Sequence, residues 1–250
     1  MSKTNFVFKR TEKKYLLDMK QYENLIEVLR PHVKDDAYGK YTICNIYYDT
    51  EDYYLIRRSL DKPVYKEKLR LRSYGAVKDR EDVFLEIKKK YNGVVYKRRI
   101  SLKLEEAEDY LSGKNKLADN GQIAKEIDYF IKHYSPKPKM FIAYDREAFA
   151  GTEDRELRIT FDTNIRSREE MLTLRMDAFT TPLFESNTVL MEIKSSDALP
   201  MWLAHCLCDL KVFPEPFSKY GNIYKKKFEA DALEEENTSA LRGTVTCLTA

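Results

Sequence analysis

The segment VYKEKLRLRSYG, at residues 64–75, carries cations at alternating positions, and this pattern most restricts the fold of the chain. Successive side chains of a β-strand point to opposite faces, so Lys66, Lys68, Arg70 and Arg72 would share one face of a strand. The opposite face would be aromatic and aliphatic with a single Glu. Because a half-buried strand normally turns a mixture of charges outward, a face with four cations and no carboxylate needs an anionic partner.

The same alternation recurs along the chain. Seven of the predicted strands have one apolar face and one face made mainly of Lys, Arg and Glu. The strands are predicted at 5–17, 41–49, 64–74, 82–91, 94–102, 139–149, 156–166 and 187–195. Helical patterns occupy 19–30, 51–60, 104–111, 119–134, 198–210 and 218–229.

The order of these elements indicates an α+β fold with a largely antiparallel sheet. Asn92-Gly93 is a strong hairpin signal between two predicted strands. Strands arrive in neighbouring pairs without strict βαβ alternation. We expect one domain over residues 1–230 and a loosely ordered tail over 231–250, where aromatic residues and periodicity disappear.

Two arrangements are open for the charged strand faces: they meet water, or they close on each other. A closed antiparallel barrel with a cationic lumen would leave no exposed sheet edge. Such a lumen needs water and anions inside it, because unpaired buried charges are costly. Phosphate suits it best, since Arg binds phosphate oxygens bidentately and Lys acts as a point charge. In this arrangement Tyr65, Leu69 and Leu71 should pack under helices.

Several other classes of protein fit the sequence poorly. A net charge of +3 is too balanced for a general nucleic-acid coat. The basic run IYKKKF is more typical of a solvated helix face than of a nucleic-acid contact. Four Cys without a C-x-x-C pair and three dispersed His argue against a zinc site. The polar N-terminus predicts no signal peptide, no apolar run approaches the roughly 18 residues of a membrane helix, and no P-loop motif occurs.

Specific sequence blocks resemble a known family. KRTEKKYLL, EKLRLRSY and FLEIKKK resemble elements of the triphosphate tunnel metalloenzymes, also called the CYTH superfamily. NIYYDTEDYYLIRRSL, YKRRISL, YDREAF, LRITFD, LMEIK and FSKYGNIY look like the successive blocks of the VTC-type polyphosphate polymerase domain within that group. The resemblance extends over about residues 6–228 in the same order, which makes it specific.

The resemblance implies an eight-stranded closed antiparallel barrel, a tunnel with a basic lumen that helices cover on the outside. It implies a metal-dependent phosphotransferase that moves the γ-phosphoryl group of ATP onto a growing polyphosphate chain, with Mn²⁺ or Mg²⁺ as cofactor. The residues that match phosphate-binding positions, or adjoin them in the same blocks, are Lys14, Arg70, Arg72, Lys88, Lys97, Arg99, Arg146, Arg158, Lys194, Ser218 and Lys219. Of these, Lys97, Arg70, Arg72 and Lys219 would act directly in transfer.

The metal ligands rest partly on the resemblance and partly on ligand chemistry. Glu192 matches the metal carboxylate of the family. Glu12 and Glu86 are further candidates, because hard divalent cations prefer carboxylate oxygens, although each Glu could instead neutralise a neighbouring Lys. The sequence differs from the family pattern just before the FSKY block, where Pro216 occupies a position, two residues before Ser218, that is often basic in relatives.

Two other functions remain open on the same residues. A tunnel hydrolase would cleave tripolyphosphate or a nucleoside triphosphate, using water where a polymerase uses phosphate as the acceptor. A non-catalytic module would bind polyphosphate, inositol phosphates or RNA with a steep salt dependence. We expect ATP and polyphosphate as ligands and no nucleic acid. We also expect a stand-alone catalytic domain without membrane helices, located in the cytoplasm or held at the inner face of a membrane through a partner.

Overall fold

A computed structural model of the chain describes residues 11–118, 121–154, 156–185, 187–196 and 198–228. The strands are β1 (Thr11–Leu17), β2 (Val33–Asp49), β3 (Tyr65–Tyr74), β4 (Asp82–Tyr91), β5 (Val94–Lys103), β6 (Lys137–Gly151), β7 (Arg158–Arg168), β8 (Thr181–Pro182) and β9 (Val189–Ser195). The helices are α1 (Met19–Leu29), α2 (Tyr54–Leu60), α3 (Leu104–Leu111), α4 (Gln122–Tyr134), α5 (Met201–Asp209) and α6 (219–228). The predicted tail at 231–250 and the first six residues of the strand predicted at 5–17 lie outside the described residues.

All strands join one antiparallel sheet, which confirms the predicted α+β class. Hydrogen bonding follows the order β1-β9-β7-β6-β2-β3-β4-β5, with the short β8 beside β7. The tight Asn92-Gly93 turn connects β4 to β5 as the sequence predicts, with both residues at positive φ. The largest difference in strand bounds is at β2, which starts at Val33 and pairs with β6 through an irregular register before Lys40.

The closed barrel that the sequence predicts is not formed, because β1 and β5 are the two ends of the sheet and do not pair within the described residues. The outer edge of β1 is used by another segment, since the Glu215 amide donates to the Lys14 carbonyl at 2.8 Å. The two sides of the sheet still approach each other. Glu12 Oε1 on β1 lies 3.9 Å from Lys88 Nζ on β4, the strand next to the edge strand β5, so a side-chain contact spans the gap between the two ends of the sheet.

Two apolar cores lie on one face of the sheet. One lies between β2–β5 and the helices α3 and α4, and the other lies between β1, β7, β9 and the helices α1 and α5. Leu69 and Leu71 are buried in the first core at 0% and 1% exposure, as the alternation of β3 predicts. Tyr65 differs from that prediction, being 37% exposed at the start of β3.

The last described helix, α6, lies on the opposite face of the sheet from α1, α3, α4 and α5. Its residues Tyr220, Ile223 and Tyr224 pack with Tyr47 and Ile142 in a third apolar cluster. These strand residues alternate with Ile46 and Phe141, which belong to the first core. The helices that pack in the first two cores cover one face of the sheet as the sequence predicts, and α6 adds a helix on the other face, because its own apolar stripe packs toward the face that holds the cations.

Candidate functional site

Strand register places the predicted basic residues on one sheet face, which we call the charged face. Arg70 lies opposite Glu86, and Asn45 lies opposite Arg72 and Ile142. From the strands, the charged face carries Glu12, Lys14, Asn45, Tyr47, Lys66, Lys68, Arg70, Arg72, Glu86, Lys88, Lys90, Lys97, Arg99, Tyr144, Arg146, Arg158, Thr160, Asp162, Glu192 and Lys194.

Glu86 organises one group of cations on this face. Its carboxylate, 1% exposed, lies 2.7 Å from Arg70 Nη2, 2.8 Å from Lys97 Nζ and 3.7 Å from Arg72 Nη1. Burial alone would raise the pKa of Glu86, but Arg70, Arg72 and Lys97 together lower it to about 2. Glu86 is therefore held as a carboxylate by three cations, which is the neutralising role left open for it as an alternative to metal binding.

Asp162 organises a second group that sequence reasoning did not assign to the site. Arg146 binds it bidentately, with Nε at 2.6 Å from Oδ1 and Nη2 at 2.8 Å from Oδ2. Lys219 Nζ on α6 lies 2.5 Å from Oδ2 of the same carboxylate. Burial would raise the pKa of Asp162, and Lys219 and Arg146 lower it below its usual range. The sequence feature that could have identified Asp162 is its place on the polar face of the strand LRITFD, which it shares with Arg158.

Glu12 and Glu192 lie on either side of one ammonium group. Lys14 Nζ is 3.5 Å from Glu12 Oε1 and 3.7 Å from Glu192 Oε2, and Lys194 Nζ is 2.5 Å from Glu192 Oε1. Burial would raise the pKa of Glu192, but Lys194 and Lys14 lower it well below its usual range. Thr160 lies directly across from Glu192, and its buried Oγ1 has no hydrogen-bond partner within the described residues.

The three candidate metal carboxylates do not form one group. Within the ranges that the structure describes, no three His, Cys, Asp or Glu side chains lie together as a metal-binding set. Glu12 and Glu192 share Lys14, whereas Glu86 lies among Arg70 and its neighbours. The carboxylates that could share a metal ion are therefore Glu192 and Glu12, whereas Glu86 forms ion pairs with Arg70 and Arg72.

The start of α6 lies over the charged face and brings the FSKY block to it. Lys68 Nζ donates to Ser218 Oγ at 3.2 Å, and Lys14 Nζ donates to the Phe217 carbonyl at 3.1 Å. Ser218 Oγ also accepts from the Gly221 amide at 3.2 Å, so it caps the helix. Pro216, the departure noted in the sequence, is exposed just before this start.

A buried carboxylate distant in sequence holds α6 in this position. Asp49 is fully buried and accepts hydrogen bonds from the amides of Thr50, Leu55 and Ile56. It also accepts from the Tyr220 hydroxyl at 3.0 Å, one residue after Lys219. The anchor on Tyr220 therefore positions both Ser218 and Lys219.

The aromatic residues of the charged face complete its chemistry. Tyr144 accepts a weak hydrogen bond from Arg72 Nη2 at 3.4 Å, and Lys219 Nζ lies 4.2 Å from its ring centroid. Burial would raise the pKa of Tyr144, but Arg72, Arg146 and Lys219 lower it to about 8. Tyr144 thus lies between the Glu86 group and the Asp162 group.

Two predicted phosphate-binding residues lie apart from these groups. Arg158 is exposed at the start of β7, opposite Lys194. Arg99 lies over the Phe84 ring, 4.8 Å from its centroid, on the exposed strand β5. The structure thus brings Arg70, Arg72 and Lys97 together around one carboxylate and places Arg158 and Arg99 at the periphery.

A model of the VTC domain matches residues 9–228. The chain belongs to the VTC domain family. It is 25% identical over 269 aligned residues to vacuolar transporter chaperone complex subunit 4 of Trypanosoma brucei brucei, covering 86% of this chain and 34% of the relative. This VTC chain therefore spans about a third of the length of that curated relative.

Solved structures share the fold. A putative adenylate cyclase from Bacillus halodurans aligns with a TM-score of 0.50 at 14% identity, covering 83% of this chain and 92% of that chain. A putative adenylyl cyclase from Hippeastrum, described as having a dominant triphosphatase activity, aligns with a TM-score of 0.51 at 15% identity, covering 86% and 95%. At these identities the likeness shows the fold alone. Together with the family match, it confirms the resemblance read from the sequence.

Among the residues described, none of the helices is both long and apolar enough to cross a bilayer.

Proposed function

We propose that this VTC domain is a polyphosphate polymerase, which transfers the γ-phosphoryl group of ATP onto a growing polyphosphate chain. One observation carries the proposal: two buried carboxylates, Glu86 and Asp162, hold separate sets of cations in place on a single sheet face. Phosphoryl transfer needs little covalent help from a protein, and depends on alignment and on cations around the transferring oxygens. Cations positioned before substrate arrives meet that need without reorganisation.

The balance of charge on this face favours a polyanionic substrate. The cations of the charged face outnumber its carboxylates, although the whole chain carries a net charge of only +3. A face lined by one sign of charge raises the local concentration of the opposite charge. We propose that the face lines a tunnel, whose open seam between β1 and β5 is spanned on the inside by the contact between Glu12 on β1 and Lys88 on β4.

The roles we propose follow the two groups of cations. Arg70, Arg72 and Lys97 would bind the oxygens of the transferring phosphoryl group. Lys219 and Arg146, held by Asp162, would bind a neighbouring phosphate. The remaining phosphate contacts would come from Lys14, Lys88, Arg99, Arg158, Lys194 and Ser218.

The oxygen atoms on β1, β7 and β9 fit a divalent cation. Glu192 and Glu12 supply hard carboxylate oxygens, and Thr160 Oγ1, which has no hydrogen-bond partner among the described residues, lies on the strand directly beside Glu192. Mn²⁺ or Mg²⁺ held there would add Lewis-acid stabilisation of the developing charge. Lys14 and Lys194 would then move from the carboxylates to phosphate oxygens.

Product analysis by ³¹P NMR after incubation with ATP and Mn²⁺ tests the function. A polymerase gives ADP and the signals of internal phosphates in long chains. Release of orthophosphate alone would instead support a tunnel hydrolase. Binding of polyphosphate that persists in EDTA, without turnover under any metal, would support a non-catalytic module.

Two matched variants test the metal site within the same assay. Glu192→Gln should raise the Mn²⁺ concentration needed for half-maximal rate. Glu126→Gln removes a carboxylate from the opposite side of the sheet, where it pairs with Lys89, and should leave that concentration unchanged. An unchanged Mn²⁺ requirement in Glu192→Gln would contradict the proposed ligand.

A further inference from the structure

Four lysines line the charged face at the end of the β3–β4 pair that is nearest the β4–β5 turn. Lys68 lies directly opposite Lys88, and Lys66 lies directly opposite Lys90. We call these four residues the lysine ladder. Like charges directly opposite each other on neighbouring strands are destabilising, so the ladder costs the ligand-free protein stability.

The ladder differs from the rest of the charged face in its lack of close counter-charges. Within the part of the chain that the structure describes, Lys66, Lys68 and Lys90 form no ion pair, and the carboxylate that Lys88 reaches is 3.9 Å away on Glu12. Lys66 and Lys68 donate instead to neutral acceptors, a backbone carbonyl at 2.9 Å and a hydroxyl at 3.2 Å. The ladder therefore lacks the compensation that Glu86 and Asp162 provide elsewhere.

The electrostatic cost appears in the ammonium groups themselves. Burial, together with the charges of Lys66, Lys88 and Lys14, lowers the pKa of Lys68 to about 8 against an opposing effect of Tyr47. Burial also lowers the pKa of Lys66, with Lys90 and Lys88 adding to the effect. An anion bound along the ladder would relieve this repulsion.

We propose that the lysine ladder binds the part of a polyphosphate chain that extends beyond the transfer site, and leads it out toward the β4–β5 turn. The inference rests on the proposed function and adds a direction to it. Lys68 joins the ladder to that site through its hydrogen bond to Ser218. Arg70 and Lys66 are four residues apart on one face of β3, which is about 13 Å at roughly 3.3 Å per residue, enough for several phosphates.

Four residues at the exit end make the ladder suited to a long flexible polymer. Lys90 is exposed, and Tyr91, Val94 and Val95 beside it are also exposed, so the end of the ladder is open to solvent. A tripolyphosphate held at Arg70 and Lys97 would not need to reach this end. The ladder should therefore distinguish long chains from short ones.

The double variant Lys66→Gln/Lys90→Gln tests the proposal by direct binding, without turnover. The affinity for long inorganic polyphosphate should fall about ten- to a hundredfold, and the slope of log affinity against log salt should fall by about 1.4, because each contact with a flexible strand contributes about 0.7. The affinity for tripolyphosphate should stay as in the parent protein. A matched control, Lys20→Gln/Lys125→Gln, removes the same charge from exposed positions on α1 and α4 and should leave both affinities unchanged.

Three outcomes would contradict this role of the lysine ladder. The first is an affinity for long polyphosphate that is unchanged in the double variant, and the second is an equal loss of affinity for long polyphosphate and for tripolyphosphate. The third is that single-stranded RNA binds the parent protein as tightly as polyphosphate does and loses as much affinity in the variant. If the wild-type protein makes no polyphosphate but the long-chain effect is present, the ladder stands and the polymerase proposal fails.

Discussion

Arg70 and Glu86 lie directly opposite each other on β3 and β4, with both Nε and Nη2 of Arg70 2.7 Å from Glu86 Oε2. The carboxylate is 1% exposed and also meets Lys97 and Arg72. A buried charge of this kind stabilises a protein only through the partners that surround it. The pair therefore ties the stability of the sheet to the alignment of the cations proposed to bind phosphate.

We expect Glu86→Gln to destabilise the protein by about 3–5 kcal/mol, because three cations would lose their buried counter-charge. The free energy of unfolding in urea measures the change. Glu126→Gln, on the helix side of the sheet, is the control and should cost about 1 kcal/mol or less, as for a partly exposed ion pair. Equal losses in the two variants would show that the Glu86 group is not a structural centre.

Neighbouring residues on β3 should separate catalysis from stability. Arg72→Ala should lower turnover about ten- to a hundredfold, since it removes a charge-assisted contact of about 1.5–3 kcal/mol. Its cost in stability should be about 1–2 kcal/mol, because Glu86 keeps Arg70 and Lys97. Leu71→Ala should cost about 2–5 kcal/mol of stability, because the side chain is 1% exposed in the first core.

Melting temperature and phosphoryl transfer, measured on both variants, check this prediction. The activity of Leu71→Ala should be normal in the fraction that stays folded. An Arg72→Ala protein that unfolds while Leu71→Ala is unaffected would mean that the two faces of β3 are assigned the wrong way round.

Tyr220→Phe should lower turnover about tenfold or more while costing only about 1 kcal/mol of stability. The hydroxyl that it removes donates to Asp49 at 3.0 Å and positions Lys219 and Ser218 at the start of α6. Rates at saturating ATP and melting temperatures give the two quantities. Tyr224→Phe, on the next turn of the same helix, is the control. A rate unchanged from wild type in Tyr220→Phe would exclude this anchor.

The free energy of unfolding of the ligand-free protein should rise with pH between about 8 and about 10. Burial lowers the pKa of Lys68 to about 8 in the folded protein, against 10.5 for an ordinary lysine. In this range the unfolded chain binds a proton that the folded chain has released, so stability increases with pH. Lys97, whose pKa burial lowers to about 8 despite Glu86, contributes with the same sign.

Urea unfolding at several pH values in this range measures the slope. Lys68→Met should make the slope shallower, and Lys125→Met, at an exposed position on α4, should leave it unchanged. Saturating polyphosphate should also flatten the slope, because a bound anion keeps the lysines protonated in the folded state. A stability that falls from pH 8 upward would contradict the burial of Lys68.

The sequence alone determined which side chains share a face. The alternation in 64–75 assigned Arg70 and Arg72 to one side and Leu69 and Leu71 to the other, because the period of two is a local property of the extended backbone. The Asn92-Gly93 turn similarly determined the pairing of β4 with β5, since its backbone conformation favours a tight hairpin. The ordered motifs then identified the family, which the match over residues 9–228 confirms.

Tertiary structure decided which charges meet. Asp162 and Lys219 are 57 residues apart, and their contact depends on α6 lying over the charged face. The local sequence pattern does not distinguish the role of Glu86, which forms an ion pair with Arg70, from that of Glu192, which lies beside Thr160 and Lys14. The absence of a strand beside the outer edge of β1 within the described residues also depends on tertiary structure, because the Glu215 amide donates to the Lys14 carbonyl, which would bond to β5 in a closed barrel. Charge partners and sheet edges depend on contacts between distant segments, and alternation along one strand carries no information about them.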